Sequence, residues 1–233
     1  MFDFLKCKRH TASAIIVAAG NGTRMKSTKS KQFIEINEKP LISYTLTAFQ
    51  NSSMIDEIII VTRENDILIM SDITKEFGIT KVTDIVKGGD TRTDSVKIGI
   101  MHSTCEYVVI HDGARPCVKT EQIDETITKA FETGAAALGC KVTDTIKRVD
   151  ENSFVTKTVD RTNLWQIQTP QVFEKGLINK AYAEGNADGA TDDCMLLESI
   201  GAKVAMVQGD SSNIKVTVQE DTELVSSILK ERL

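Results

Sequence analysis

Ala14-Ile15-Ile16-Val17-Ala18-Ala19-Gly20-Asn21-Gly22-Thr23-Arg24-Met25 is the stretch that decides the fold. It opens as a continuous β-branched run and empties into small residues and two glycines. A run without polar alternation predicts a strand buried on both faces, which belongs in a parallel sheet covered by helices. Basic residues precede it (Lys6, Lys8, Arg9), a pattern resembling a short secretion signal. The apolar stretch is too brief for that and runs straight into the glycine turn. It therefore reads as a first strand, and the chain as cytoplasmic.

Working outward, similar runs recur at Ile58-Ile59-Ile60-Val61, at 81–86 and at Tyr107-Val108-Val109-Ile110. Between them, segments 40–49, 65–77 and 92–101 place apolar residues at helical spacing. Ile123, Ile127, Ala130 and Phe131 do the same. Further helices are expected at 174–183 and 192–200, a strand at 203–207, and a last helix carrying Leu224, Val225, Ile228 and Leu229. Strands alternating with helices predict an α/β, three-layer, Rossmann-like fold with a mostly parallel sheet.

The pattern breaks between 143 and 159. Two alternating segments, 143–149 and 154–159, flank Asp150-Glu151-Asn152-Ser153, which predicts a β-hairpin with a four-residue turn. The hairpin carries Lys147, Arg148 and Lys157 and only one modestly apolar face. Such a hairpin is marginal in water, so it either folds back on its own body or projects and packs against a second copy. The chain reads as a single domain over 1–233, with an arm at about 141–161.

Composition narrows the function. The 233 residues include 28 basic and 33 acidic side chains, a net charge of −5 that argues against a generic nucleic-acid binder. No apolar run approaches the roughly 18 residues of a membrane span. The cysteines (Cys7, Cys105, Cys117, Cys140, Cys194) are scattered singly, as reduced thiols are, and form neither a metal-ligand cluster nor a disulfide framework.

Three strand ends carry the motifs. Ala18, Ala19 and Gly20 follow the first strand, where an open α/β sheet has its ligand crevice. The dinucleotide fingerprint fails because Met25 stands at its third glycine, and no Gly-Lys-Ser/Thr follows to make a P-loop. A tight strand-to-helix turn accounts for the glycines equally well. Residues 24–31, however, hold Arg24, Lys26, Lys29 and Lys31 and no acid, which suits a triphosphate, although Lys26 and Lys29 also read as solvated. In Gly88-Gly89-Asp90-Thr91-Arg92-Thr93-Asp94-Ser95, Asp90 or Thr91 can cap a helix and Ser95 can meet a base edge. In His111-Asp112-Gly113-Ala114-Arg115-Pro116, Asp112 suits a metal, a sugar hydroxyl or a substrate hydroxyl. His111 reads as structural as readily as catalytic and is not counted in the catalytic set.

Five more segments complete an ordered set: Asp144-Thr145-Ile146-Lys147, Asp160-Arg161, Gln168-Thr169-Pro170-Gln171, Thr191-Asp192-Asp193 and Asn213-Ile214-Lys215-Val216-Thr217. Together the eight resemble the 2-C-methyl-D-erythritol 4-phosphate cytidylyltransferases, over nearly the whole chain from about Ala14. The sister ribitol-5-phosphate cytidylyltransferases share the first half of the pattern. Asp160-Arg161-Thr162-Asn163-Leu164-Trp165 favours the methylerythritol enzymes. Departures at Val17, Gly113 and Gln219 remove no side chain that the chemistry needs.

The resemblance implies a reaction of CTP with 2-C-methyl-D-erythritol 4-phosphate in non-mevalonate isoprenoid biosynthesis. The products are 4-diphosphocytidyl-2-C-methyl-D-erythritol and pyrophosphate. It assigns Arg24 and Lys31 to the triphosphate, and Arg161 and Lys215 to the attacking phosphate. Ala18, Ala19, Gly89, Asp90 and Ser95 fall at the cytosine, Gly20 and Gly113 at the ribose. Asp112, Thr145 and Thr191 fall on the substrate side. Mg²⁺ is expected to bridge phosphate oxygens, with Asp112 the one protein ligand to suspect. A homodimer is expected, whose exchanged arms bring Thr145 and Arg161 to the neighbour's site. The alternatives are a ribitol-phosphate enzyme and a non-catalytic sugar-nucleotide sensor.

Overall fold

A computed structural model describes residues 9–20, 30–185 and 190–232. Its strands are β1 (Ala12–Val17), β2 (Glu35–Ile36), β3 (Lys39–Pro40), β4 (Glu57–Thr62), β5 (Val82–Lys87), β6 (Tyr107–Asp112), β7 (Ala135–Lys141), β8 (Ile146–Val149), β9 (Val155–Val159), β10 (Trp165–Glu174) and β11 (Ala205–Gln208). The α-helices are α1 (Leu41–Asn51), α2 (Ile67–Glu76), α3 (Arg92–His102), α4 (Thr120–Thr133), α5 (Lys175–Glu184), α6 (Asp193–Ser199) and α7 (Glu220–Lys230).

Seven strands form one sheet in the order β11-β7-β10-β6-β1-β4-β5. Every pairing in it is parallel except those of β10, which runs against both β6 and β7. The runs in β1, β4 and β6 are buried on both faces, as their lack of alternation predicts, whereas β5, at the edge of the sheet, is only partly buried. Ala14, Ile16, Ile58, Ile60 and Val109 enter one core with Leu46, Phe49, Met70 and Ile127, from α1, α2 and α4. Their immediate neighbours Ile15, Ile59, Val61, Val108 and Ile110 enter a second core with Val96, Ile100, Ile178 and Leu197, from α3, α5 and α6. Each such side chain contributes about 1.5–3 kcal/mol by leaving water, so the central strands are the most firmly fixed part of the molecule. Their ends can then carry side chains without moving.

Two strands of this sheet escape the sequence reading. β7 begins Ala135-Ala136-Ala137-Leu138, a composition that favours helix over strand. Gly134, in the left-handed region at φ 82°, ends α4 and turns the chain into the sheet. β10 contains Pro170, normally an argument against an interior strand. It is accommodated because the β10–β7 register shifts between Ile167 and Gln171.

The hairpin is β8 and β9, an antiparallel pair that forms its own two-stranded sheet. Val149 pairs with Val155, so the turn spans five residues, 150–154, and not the four expected. Asp150 lengthens it by accepting from the backbone N–H groups of Asn152 and Phe154. The residues from 147 to 158 are all exposed, Phe154 by 71%. The arm therefore does not lie on its own body.

A third, smaller core joins Ile36, Leu41, Cys117, Val216, Val225 and Leu229. It ties α7 and the segment before it to the β2–β3 hairpin, beside the carboxyl ends of the central strands.

Candidate active site

The register of the sheet brings the motifs together. Val17 pairs with both Val61 and Asp112, and Thr62 pairs with Lys87. β1, β4, β5 and β6 therefore end at one level. Backbone bonds continue past that edge: Ala18 N donates to Val61 O at 2.7 Å, Gly113 N to Val17 O at 2.9 Å and Gly88 N to Thr62 O at 2.7 Å. The three loops stand side by side around a cleft of about 270 Å³. Ala18, Ala19, Gly20, Gly89, Asp90, Asp112 and Gly113 all line it, together with Lys31 and Lys215. The sequence reading placed a ligand crevice here.

Ser95 does not face the cleft. It is buried on the first turns of α3, where its Oγ accepts from Gly89 N at 3.2 Å. A Cβ on Gly88 would sit 2.7 Å from that Oγ and 2.6 Å from Ala19 Cβ, and one on Gly89 would sit 2.4 Å from Asp94 Cβ. Two glycines are therefore what lets this loop close against α3. The cap of α3 is Thr91, whose side chain accepts from Asp94 N while Asp94 accepts from Thr91 N. That leaves Asp90 exposed at the cleft.

Asp112 is the electrostatic centre. Lys215 Nζ lies 2.7 Å from its Oδ2, Arg92 Nε 3.3 Å from Oδ1 and Arg115 Nε 3.7 Å from Oδ2. Burial by itself would raise the Asp112 pKa, but Arg92, Lys215 and Arg115 together hold it well below the usual carboxylate range. Arg92 is shared with Asp193, 2.8 Å from Nη1, and Asp193 also accepts from Tyr182 OH at 2.9 Å. Burial opposes the charge on Arg92, and the two carboxylates overcome it, so its pKa is raised. Next to Asp112, burial drives the His111 pKa down to about 3. The ring is neutral, 3.0 Å from Thr169 Oγ1 and 3.4 Å from Arg115 O, as a structural histidine is.

Lys215 owes its place to its neighbours in sequence. Val216 is fully buried in the third core and its N–H donates to Ala114 O at 2.9 Å. Asn213 is buried and donates through Nδ2 to Thr169 O at 2.9 Å, while its own carbonyl accepts from Arg115 at 2.8 Å. Lys31 Nζ lies 3.5 Å from Val216 O, so the two lysine stems approach the cleft from the same side.

Other expected residues stand elsewhere. Thr145 and Arg161 are exposed on the arm and its base and do not line the cleft of their own chain. Arg161 Nη1 donates to Thr143 O. Thr191 lies at the rim of a separate groove with Trp165, Ile167, Met195 and Met206. Arg24 lies outside the described residues. Among the described residues no cluster of three or more His, Cys, Asp or Glu forms a metal cage. Asp112, with three cations on one carboxylate, is not a fit ligand for a fourth.

Arg92, Arg115 and Asp193 were not read from the sequence as site residues. Arg92 carried a signal, since a cation in the first turn of a helix opposes the helix dipole and needs another reason to be there. Asp193, 101 positions further along the chain, carried none.

The comparisons fit this geometry. The family model for 2-C-methyl-D-erythritol 4-phosphate cytidylyltransferase matches residues 12–231. The chain belongs to that family. A relative of that name from Caldanaerobacter subterraneus subsp. tengcongensis is 45% identical over 223 residues, which cover 94% of this chain and 98% of the relative. One from Clostridium acetobutylicum is 43% identical over 221 residues, covering 93% and 96%. The crystal structure of 4-diphosphocytidyl-2C-methyl-D-erythritol synthase from Anaerococcus prevotii superposes with a TM-score of 0.84 at 34% identity, over 95% of this chain and 96% of that one. Membership makes this chain a nucleotidyltransferase of the cytidylyltransferase class and disfavours the sensor and the ribitol-phosphate reading. Among the described residues no helix is long and apolar enough to cross a membrane.

Proposed function

We propose that the cleft binds CTP and transfers its cytidylyl group to 2-C-methyl-D-erythritol 4-phosphate, releasing pyrophosphate, in isoprenoid biosynthesis in the cytoplasm. The observation that carries the reading is the pair of lysines, Lys31 and Lys215, at one cleft built from three strand-end loops. Two anionic reactants must meet there, and a phosphate monoester needs little help losing its proton near neutral pH. Positioning and charge stabilisation then supply most of the catalysis.

In this reading Ala18, Ala19, Gly89 and Asp90 surround the base, with Ser95 fixing the Gly89 backbone from behind. Gly20 leaves room for the ribose, and Gly113 meets it through its backbone, since a Cβ there would sit 2.8 Å from Ile42 Cδ1. Lys31, with Arg24, neutralises the triphosphate and the departing pyrophosphate. Lys215 orients the phosphate oxygen that attacks the α-phosphorus in line. Asp112 aims the Lys215 ammonium, 2.7 Å from its Oδ2, and makes no bond to a reacting atom. Mg²⁺ arriving with the nucleotide would supply charge that offsets the phosphates, and no carboxylate cluster among the described residues would hold it on the protein. Thr145 and Arg161, exposed and outside the lining of their own cleft, serve the site of the other subunit of a homodimer.

The test is pyrophosphate release by the purified protein with CTP and Mg²⁺, comparing methylerythritol phosphate with ribitol phosphate. Turnover with the first alone supports the reading. Preference for the second, or CTP binding without turnover on either, overturns it.

A further inference from the structure

We propose that Asp66 is a positioning residue for Lys31, and that Arg63 locks it in that role. Lysine presents a point charge on a flexible four-carbon stem, so its usefulness in the cleft depends on how firmly the backbone around it is fixed. The residues on either side of Lys31 are both buried, Ser30 at 6% and Gln32 at 2% exposure. Both turn to the same atom: Ser30 Oγ and Gln32 Nε2 each donate to Asp66 Oδ2 at 3.1 Å. Asp66 is itself 5% exposed and gripped in bidentate fashion, with Arg63 Nε 2.7 Å from Oδ2 and Arg63 Nη2 3.1 Å from Oδ1. Arg63 Nη2 also meets Ser30 Oγ.

The placement of Asp66 in sequence suggests another use that the structure does not make of it. Asp66 stands at the N-cap of α2, where an aspartate ordinarily accepts from the first helical N–H groups. Its side chain makes no capping bond. The carboxylate is directed instead at residues 30 and 32, which are 36 and 34 positions away along the chain. Arg63 follows directly on β4, a strand buried along its whole length. Through Arg63 and Asp66 the rigid sheet thus fixes the backbone on both sides of one lysine. This inference rests on the reading of Lys31 as a triphosphate ligand.

The experiment is a double-mutant cycle of Asp66→Ala and Lys31→Ala in the full chain. It is read both as kcat for pyrophosphate release and as the CTP dissociation constant by calorimetry, so a variant too slow to assay still fills its corner. Asp66→Ala should lower kcat by about 10- to 100-fold, the size of effect that a displacement of about 1 Å produces. On the Lys31→Ala background the same change should add less than about twofold in either quantity. An equal loss on both backgrounds overturns the positioning role, because a merely structural residue damages both alike. If Lys31→Ala alone changes neither quantity, the assignment of Lys31 is what fails, and the two failures are distinct. Should Asp66→Ala not fold, Gln32→Leu carries the same cycle with the Asp66–Arg63 pair intact. There a several-fold loss confined to the Lys31 background supports the proposal and wild-type kcat overturns it.

Discussion

Lys215 Nζ and Asp112 Oδ2 lie 2.7 Å apart at the floor of the cleft, and the same carboxylate is approached by Arg92 and Arg115. Three cations thus converge on one buried anion. The arrangement leaves an excess of positive charge beside the cleft, which suits a site for two anionic reactants.

Replacing Lys215 by Met keeps much of the stem and removes the charge. We expect kcat for pyrophosphate release to fall by about 10²–10³, as for the loss of one group that stabilises developing charge. CTP affinity should change less than threefold, since Lys215 is assigned to the attacking phosphate. Steady-state kinetics together with a CTP titration check this, and a variant that loses only CTP affinity would reassign the residue.

Asp112→Asn leaves the surrounding cations without their shared partner. Removing one member of a buried ion pair typically costs several kcal/mol, and about 3 kcal/mol is expected here because Arg92 keeps Asp193. The folded pKa of Asp112 lies below its unfolded value. Its stabilisation is therefore complete above about pH 4 and is lost as pH falls further towards the folded pKa. Urea unfolding at a series of pH values should show that acid limb in the wild type and a weaker one in the variant.

His111 has a linkage of the same sign in a higher pH window. Its folded pKa is about 3, against about 6.5 for an unfolded histidine. Between those values the unfolded chain binds the extra proton, so stability should fall as pH is lowered. One such proton gives a slope of about 1.4 kcal/mol per pH unit. His111→Gln should flatten the curve between about pH 6 and 5 whatever it does to absolute stability. An unchanged slope there would mean that the buried ring is protonated.

Arg161 is exposed and does not line its own cleft, while Lys31 does. If the sites are shared between subunits, Lys31→Ala and Arg161→Ala should each be nearly inactive alone, yet restore activity when co-expressed. A mixed dimer then keeps one intact site, and random pairing predicts recovery to about a quarter of wild type. No recovery would place both residues in one chain's site.

The sequence by itself determined the parallel sheet, because unbroken β-branched runs such as Ile58-Ile59-Ile60-Val61 alternate with helical segments that can cover both faces. It also determined that Gly20, Gly89 and Gly113 would follow strand ends, since each stands directly beyond such a run or its turn. Both readings are local, resting on periodicity and adjacency. Tertiary structure alone decided that β7 and β10 enter the sheet, where packing overrides an alanine-rich composition and a register shift admits Pro170. It alone placed Asp193 on Arg92, 101 positions away, and Lys31 beside Val216, 185 positions away. No spacing encodes such pairs. Which charge neutralises which depends on strand order and register, and these are settled by the burial of the whole sheet at once.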